Sequence, residues 1–313
     1  MKAGPGDGDL REGRVVASHG RDAVVADAAG LRVHCRLHGR RLSVVCGDRV
    51  HWSAASTEGG GGVIRELLPR RNCLSRIDAR GTPEAVASNL SQLVAVLAPV
   101  PAPDLGLCDR YLAAAEWNGL AACVVANKCD LADGDGSLDA ALEDYARIGY
   151  SVVRASKRLA GGADALRQKL AGTTSVLVGQ SGVGKSSLTN VLVPGVEAAV
   201  ADVSRASETG RHTTSTSSLY SLPSGGELID SPGVRDFAPP LPPVRDVAGG
   251  FREIAGLAGS CRFRDCLHRA EPGCAVAAAR DAGDIAPRRF ESYRSLLALA
   301  EEMAARAPPR VRR

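Results

Sequence analysis

The chain is poor in aromatic residues and in long hydrophobic runs. Aromatic side chains make up 4% of its 313 residues, so a core must come mainly from valine, leucine and alanine within a hydrophobic fraction of 44%. The longest apolar stretches, such as residues 93–100, fall well short of the roughly 20 residues that span a membrane as a helix. The N-terminal segment MKAGPGDGDL has no apolar core behind its lysine. We therefore expect neither a secreted, a membrane-spanning nor a coiled-coil protein.

A disulfide framework is also missing from the cysteine pattern. The nine cysteines are an odd number, and six of them stand singly between Cys35 and Cys129. Small disulfide-stabilised proteins have dense, even-numbered cysteines, so these six indicate reduced thiols in a cytoplasmic protein. The remaining three lie within fourteen residues of one another and require a separate explanation.

Charge is unevenly distributed along the chain. The net charge is +4, but residues 10–80 carry +6 and residues 251–313 carry +4, which leaves about −6 for the remainder. Two arginine-rich ends around an acidic middle indicate that the ends face a polyanion. The alternative at this point is a soluble surface that is merely rich in arginine.

Composition and periodicity predict a multidomain α/β protein. Residues 1–9 form a glycine-rich disordered tail, and residues 10–70 contain five short β runs (13–17, 23–26, 32–37, 44–52 and 62–67), which suits an oligonucleotide-binding (OB-type) β-barrel. Residues 71–84 would be a basic linker. Residues 85–238 alternate apolar strands with helical segments, which is typical of a mainly parallel sheet with helices on both faces. Beyond a proline-rich stretch, residues 239–313 contain a Cys/His segment and an amphipathic helix.

The strongest motif is a phosphate-binding loop that follows the apolar strand at residues 175–178 and opens a helix. Its glycines let successive backbone N–H groups surround phosphate oxygens, and the helix N-terminus favours negative charge. Lys185 would reach the β- and γ-phosphates, and the Ser186 hydroxyl would bind Mg²⁺. The predicted nucleotide-binding residues of this motif are Gly179, Gln180, Ser181, Gly182, Val183, Gly184, Lys185, Ser186 and Ser187.

A second motif selects the base. Asn127-Lys128-Cys129-Asp130 follows the apolar strand at residues 121–126. A carboxylate at Asp130 can accept hydrogen bonds from guanine N1–H and the exocyclic amine, a donor pair that adenine lacks, so GTP is favoured over ATP. Asn127 would contact the other polar edge of the base and brace the loop. Ala155-Ser156-Lys157, after another strand, would approach guanine O6 through backbone N–H groups.

Two further segments point to hydrolysis. Asp230-Ser231-Pro232-Gly233 ends a strand, so Asp230 would hold Mg²⁺ through a water and the Gly233 N–H would contact the γ-phosphate. A polar segment at residues 208–214 would be the first switch, with either Thr213 or Thr214 closing on Mg²⁺. Val234 occupies the position where many GTPases place a water-orienting glutamine. His212 is the nearest substitute, with an exposed loop histidine as the alternative.

The C-terminal cluster has the composition of a metal site. Cys261, Cys266, His268 and Cys274 offer three thiolates and one imidazole within fourteen residues. Four such ligands suit a closed, tetrahedral and therefore structural Zn²⁺ site. A short arginine-rich segment would gain much of its stability from the metal.

The order of the motifs is unusual, because the base-reading motif precedes the phosphate loop. This is a circular permutation of the usual GTPase order, and it connects the second switch directly to the C-terminal segment. Together the motifs resemble the circularly permuted, ribosome small-subunit-dependent GTPase A family of bacteria. The resemblance rests on residues 47–50, 127–130, 179–187, 210–214, 230–233 and 261–274. Ser231 stands where the family commonly has threonine, and residues 155–157 are a loose version of the guanine-helper loop.

The resemblance implies an OB-type barrel, a permuted GTPase domain and a C-terminal zinc-binding α domain. It also implies late maturation of the small ribosomal subunit, with 16S rRNA as a partner and with GTP hydrolysis to GDP and phosphate stimulated by that subunit. The family's catalytic histidine would fall on His212. We expect a cytoplasmic monomer that uses GTP/GDP, Mg²⁺ and one structural Zn²⁺. The alternatives are a GTP-gated RNA-binding module without significant turnover and a GTPase that acts on a protein or membrane partner.

Overall fold

The computed structural model describes residues 10–55, 61–78, 81–131, 134, 136–196, 217–231 and 239–306. The chain divides into two compact units. The first unit comprises Met1–Ser91, Ala163–Leu177 and Lys185–Ala238, and the second comprises Gln92–Gly162, Val178–Gly184 and Pro239–Arg313. These limits differ from the predicted domains, which remain a prediction. Within the described stretches, no helix has the length and apolar character needed to cross a bilayer.

A closed five-stranded barrel begins the first unit. Its strands are β1 (Arg11–His19), β2 (Asp22–Ala26), β3 (Arg32–Leu37), β4 (Arg49–Ala54) and β5 (Gly62–Leu67). The ring closes because β1 pairs with both β2 and β4, while β5 pairs with β3 and β4. Side chains alternate along β3, where Cys35 and Leu37 are buried and Arg32, His34 and Arg36 are exposed. The predicted barrel is therefore present.

The predicted strand over residues 44–52 begins later, at Arg49, because a buried turn precedes it. The fully buried Asp48 carboxylate accepts hydrogen bonds from Val45 N at 2.8 Å, from Ser88 Oγ at 2.6 Å and from Arg70 Nε at 2.7 Å. Gly47 has φ 94°, and a Cβ there would lie 2.1 Å from Ser88 O. Only glycine fits that position.

The segment predicted as a linker forms a β-hairpin. Strands β6 (Cys73–Ile77) and β7 (Pro83–Ser88) pair antiparallel. The sequence pattern alone did not reveal it, because the turn residues between the strands also suit a linker.

The barrel continues into a second group of strands in the same unit. These are β11 (Thr174–Val178), β12 (Ser217–Ser221) and β13 (Glu227–Asp230), in the order β11-β13-β12-β1. β11 and β13 run parallel, β12 is antiparallel to β13, and β1 pairs with β12 through Ala17 and Ser18. Helices α3 (Asp164–Leu170) and α4 (Lys185–Leu192) belong to this unit.

The second unit contains a parallel three-stranded sheet. Its strands are β8 (Gln92–Leu97), β9 (Ala121–Asn127) and β10 (Ser151–Ala155), in the order β10-β9-β8. All six side chains of β8 are buried, as expected for a strand covered on both faces. Helix α1 (Leu105–Trp117) packs on β8 and β9, and α2 (Ser137–Arg147) follows β9. Asp104 caps α1 by accepting a hydrogen bond from Leu107 N at 2.8 Å.

The C-terminal helices pack against α1 within the second unit. They are a 3₁₀ helix (Val244–Gly250), α5 (Arg252–Ala258), α6 (Ala275–Ala282) and α7 (Pro287–Arg306). A buried polar network joins them to α1 and α2. Fully buried Asp109 accepts hydrogen bonds from Arg289 Nη1 at 2.9 Å, from Tyr145 Oη at 2.7 Å and from Ser292 Oγ at 2.7 Å. Arg289 also binds Glu253 of α5 at 2.7 Å.

Candidate nucleotide site and zinc centre

The phosphate loop lies at the end of β11 in a backbone conformation that only glycine adopts easily. Gly179, Gly182 and Gly184 have φ values of 145°, 83° and 97°. A Cβ on Gly179 would lie 2.4 Å from Val96 O, and a Cβ on Gly184 would lie 2.4 Å from Asn127 Nδ2. The glycines therefore permit both the turn and the close approach of two neighbouring segments. Val183 is fully buried, whereas Ser181 and Gly182 are exposed.

The NKCD motif is attached directly to this loop. Asn127, 4% exposed at the end of β9, donates from Nδ2 to Val183 O at 2.8 Å. Lys128 has a left-handed backbone with φ 59°, and its Nζ donates to Gly182 O at 2.8 Å and to Val100 O at 2.6 Å. Two side chains of the predicted base-reading motif thus stabilise the phosphate loop.

Gln180 connects the loop to the segment before α1. Its Oε1 accepts from Asp104 N at 3.0 Å, and its Nε2 donates to Ala102 O at 3.2 Å. The phosphate loop is thereby held on both sides, by the segment after β9 and by the segment after β8. A loop positioned before ligand arrives loses less conformational entropy on binding.

Asp130 is oriented by the predicted guanine-helper loop. The Ser156 hydroxyl donates to its carboxylate, which holds the pKa of Asp130 below its usual value, and Arg158 contributes from 3.5 Å. The carboxylate is therefore ionised and oriented, as the recognition of two guanine donors requires. The backbone N–H of Ser156 donates to Gly162 O at 2.9 Å, so this N–H is engaged within the loop.

The magnesium candidates belong to the first unit. Lys185 is the first residue of α4, and its exposed fraction is 9%. In the same first turn, Ser186 is exposed and Ser187 is half-buried. Asp230 ends β13, where it is paired in register with Ser218 of β12. The oxygen atoms of Ser186 and Asp230 are ligands of the type that Mg²⁺ prefers. His212, Thr213, Thr214 and Gly233 lie outside the described residues.

The zinc candidates form a single cluster within the second unit. One ligand atom each from Cys261, Cys266, His268 and Cys274 lies within 4.8 Å of the others. His268 Nδ1 is 3.5 Å from the sulfur atoms of both Cys261 and Cys274, and those two sulfur atoms are 4.0 Å apart. Around a tetrahedral Zn²⁺, bonds of about 2.3 Å to sulfur and about 2.0 Å to nitrogen require about 3.5 Å between a nitrogen and a sulfur ligand and about 3.8 Å between two sulfur ligands. The four side chains therefore fit one structural Zn²⁺ ion.

The surroundings of the cluster prepare these ligands. Burial lowers the pKa of His268, which favours the neutral imidazole that a metal ligand must be. Cys274 caps α6 and accepts a hydrogen bond from Ala277 N at 3.4 Å, which fixes the position of its sulfur atom. Glu271 accepts hydrogen bonds from the backbone N–H groups of Leu267, Arg269 and Ala270. Sequence reasoning missed Glu271, since its neighbours Pro272 and Gly273 indicate only a turn.

Residues 67–239 match a family model described as RsgA GTPase, and this match covers more than half of the chain. The chain belongs to the RsgA GTPase family. Members are GTP hydrolases, and this chain is accordingly a GTPase that uses GTP/GDP and Mg²⁺, as the sequence predicted. Bound Mg²⁺ neutralises charge on the phosphate oxygens.

Relatives and solved structures support membership over nearly the full length. A protein of Azotobacter vinelandii named small ribosomal subunit biogenesis GTPase RsgA is 46% identical, over 94% of this chain and 88% of that protein. A Pseudomonas aeruginosa protein of the same name is 45% identical over the same shares.

Among solved structures, YjeQ from Thermotoga maritima has a TM-score of 0.74 at 31% identity, covering 93% of this chain and 98% of that one. YloQ, described as a circularly permuted GTPase, has a TM-score of 0.72 at 27% identity, covering 96% of this chain and 97% of that one. The predicted fold class, with its barrel, permuted GTPase and zinc-binding α region, is confirmed.

Proposed function

We propose that this GTPase assists late maturation of the small ribosomal subunit and that the subunit stimulates its hydrolysis of GTP. The hydrogen bonds from Asn127 and Lys128 to the phosphate loop carry the proposal, because they support a single nucleotide site formed by the two predicted motifs. The curated relatives are named for small ribosomal subunit biogenesis, which supports the partner. At about 45% identity over most of the chain, a shared role is the simplest inference.

The nucleotide would bind along these residues as follows. Asp130 accepts from guanine N1–H and the exocyclic amine, while Asn127 holds the loop whose N–H groups surround the phosphates. Lys185 contacts the β- and γ-phosphates, and Ser186 and Asp230 hold Mg²⁺. Ser156 acts on the base through the Asp130 carboxylate that it orients. The approach of the backbone N–H groups of residues 155–157 to guanine O6 stays a prediction, and the N–H of Ser156 itself is bonded to Gly162 O.

Hydrolysis would need residues of the two switches. A water attacks the γ-phosphorus, the bond to the β-phosphate oxygen breaks, and GDP and inorganic phosphate leave. His212 would orient that water, since Val234 cannot, and Thr213 or Thr214 with the Gly233 N–H would close on the γ-phosphate. A water oriented by a histidine in place of the usual glutamine predicts slow intrinsic turnover. The subunit would then accelerate hydrolysis by positioning His212 toward that water.

The 16S rRNA contacts would come largely from arginine. The outward face of β3 carries Arg32, His34 and Arg36, and the following loop exposes Arg40 and Arg41. Each arginine that meets a phosphate releases counterions, so affinity for the subunit should fall steeply as salt concentration rises. We also propose that the protein acts as a cytoplasmic monomer without membrane contact, with the domain limits given by the sequence.

GTP turnover with purified small subunits, with large subunits and with no subunit tests the proposal. We expect strong stimulation by small subunits alone. His212→Ala should lose the stimulated rate while GDP affinity stays unchanged. Equal, slow turnover under all three conditions would contradict the proposal. If affinity for the small subunit still depended on GTP, the GTP-gated binding module without significant turnover would replace it.

A further inference from the structure

Phe263 is the only exposed aromatic side chain in the described part of the chain. Ten aromatic residues are described, and the other nine are buried or half-buried. Phe263 is 42% exposed, in a chain whose aromatic content is 4%. Its ring adds little to the core, whereas aromatic side chains are enriched at binding surfaces, which makes Phe263 a candidate contact for a partner.

The zinc loop holds Phe263 in a defined position. Phe263 lies between the ligands Cys261 and Cys266 in the sequence. Cys266 N donates to Phe263 O at 3.3 Å, and Arg262 N donates to Gly273 O at 3.1 Å across the loop. Gly273 has φ 75°, and a Cβ there would lie 3.0 Å from Arg262 Cβ, so the two sides of the loop are in close contact. An aromatic ring presented by such a loop loses little entropy when a partner packs on it.

Phe263 has an arginine on each side in the sequence. Arg262 and Arg264 are exposed, and the Arg262 guanidinium lies 5.5 Å from the ring centroid. An open depression of about 510 Å³ beside the loop is lined by Pro243, Val244, Arg245, Asp265 and Leu267. Arg262 therefore lies near the ring, Arg264 follows Phe263 in the sequence, and Arg245 and Asp265 line the depression beside the loop.

We propose that Phe263 stacks on an unpaired nucleobase of the RNA that this protein binds, with Arg262 and Arg264 contacting the adjacent phosphates. An exposed ring with flanking guanidinium groups is the arrangement that recognises single-stranded RNA, because every base offers a π-face and every nucleotide a phosphate. Asp265 can accept a hydrogen bond from an exocyclic amine of a neighbouring base. The inference rests on the proposed function, which supplies the RNA.

An apolar protein partner fits the surface less well. Hydrophobic docking sites have several contiguous apolar side chains, whereas both sequence neighbours of Phe263 are charged. The apolar residues Pro243, Val244 and Leu267 share the neighbouring depression with Arg245 and Asp265. Among the large hydrophobic side chains described as exposed, Phe263 and Met303 are the two that follow residue 239, and Met303 lies on α7. Met303→Ala is therefore a matched control that removes a similarly exposed apolar side chain outside the loop.

The experiment measures binding of the full chain to small subunits and to a short single-stranded RNA across a range of salt concentrations. Phe263→Ala should weaken binding about 5- to 100-fold while leaving the slope of log Kd against log salt unchanged. Arg264→Ala should lower that slope by about 0.7–0.9. Met303→Ala should change neither quantity. Zinc content is measured for every variant, and equal values show that the loop is intact.

The variant Phe263→Trp reports the chemistry of the contact. Trp52 and Trp117 are not exposed, so the introduced indole is the one placed at the surface of the zinc loop. We expect this variant to bind at least as well as the parent and its emission to be quenched on binding, as stacking on a base requires. A blue shift without quenching would indicate an apolar protein contact and would overturn the inference.

The outcomes separate the two proposals. If the parent chain binds small subunits and Phe263→Ala binds within twofold of it, the stacking inference is wrong and the proposed function stands. If the parent chain binds no small subunit, the proposed function fails. Binding to the single-stranded RNA then tests the stacking inference separately. A lower affinity of Phe263→Ala for this RNA would support the inference, and an unchanged affinity would overturn it.

Discussion

Replacing the amide of Asn127 by a carboxylate tests whether this side chain acts through the phosphate loop. The Asn127→Asp substitution exchanges the Nδ2 donor, 2.8 Å from Val183 O, for an oxygen. The side chain is 4% exposed, and the Cβ position of Gly184 lies 2.4 Å from Nδ2, so little room exists for an alternative rotamer. Two oxygen atoms would then face each other without a proton between them.

The magnitude follows from that geometry. A buried acceptor left without its donor costs about 1–3 kcal/mol, which is about a 5- to 150-fold increase in Kd. We expect this loss for GDP, whose β-phosphate needs the ordered loop, and a smaller loss for GMP, which lacks that phosphate. Asn127→Ala removes the donor without adding charge and should show the same difference between the two nucleotides.

Competition of GDP and GMP against a fluorescent guanine nucleotide measures both affinities. Asn118→Asp is the matched control, because Asn118 Nδ2 also donates to a backbone carbonyl, that of Ala114 at 2.8 Å, at the end of α1. The control should leave the preference for GDP over GMP unchanged. Equal losses for GDP and GMP in the Asn127 variants would refute the reasoning and would make Asn127 a residue that contacts the base.

Three other changes have expected outcomes. Asp130→Asn should change the preferred nucleotide from GTP to XTP, by a factor of about ten or more, because an amide matches the N1–H and the C2 carbonyl of xanthine. Competition assays with both nucleotides measure this preference, and an unchanged preference would exclude Asp130 from base recognition. Cys274→Ser should release the zinc and lower the melting temperature of the C-terminal helices. A colorimetric zinc assay and calorimetry measure the two effects, and an unaltered metal content would contradict the expectation. Asp109→Ala leaves the fully buried Arg289 without one of its two carboxylate partners, and should lower the free energy of unfolding by about 3–5 kcal/mol in urea; a loss below about 1 kcal/mol would show that Glu253 alone compensates the charge.

Much of the fold could be predicted because it is encoded locally. The alternation along β3 and the continuous apolar run of β8 each indicate a strand within a few residues. The glycine positions of the phosphate loop follow from the backbone that phosphate binding requires. The zinc ligands follow from the spacing of four side chains.

The features that the sequence did not reveal depend on distant partners. β12 (Ser217–Ser221) has a weak strand pattern and is a strand because β1 and β13 pair with it. Asp109 and Arg289 resemble solvent-exposed helix residues, and their burial depends on the packing of α1 against α7. Arg158 and Glu271 act on loops whose shape only the tertiary structure defines.

The pairing of β1 with β12 limits how this protein can be divided. The barrel strand donates and accepts the hydrogen bonds along one side of β12, through the pairs Ala17–Ser218 and Ser18–Ser217. Arg14 reaches further, to Glu227 at the start of β13. A fragment without the barrel would expose β12 as an unprotected edge, and such edges associate with other strands. The barrel therefore also acts as an intramolecular cover that keeps the GTPase strands from self-association.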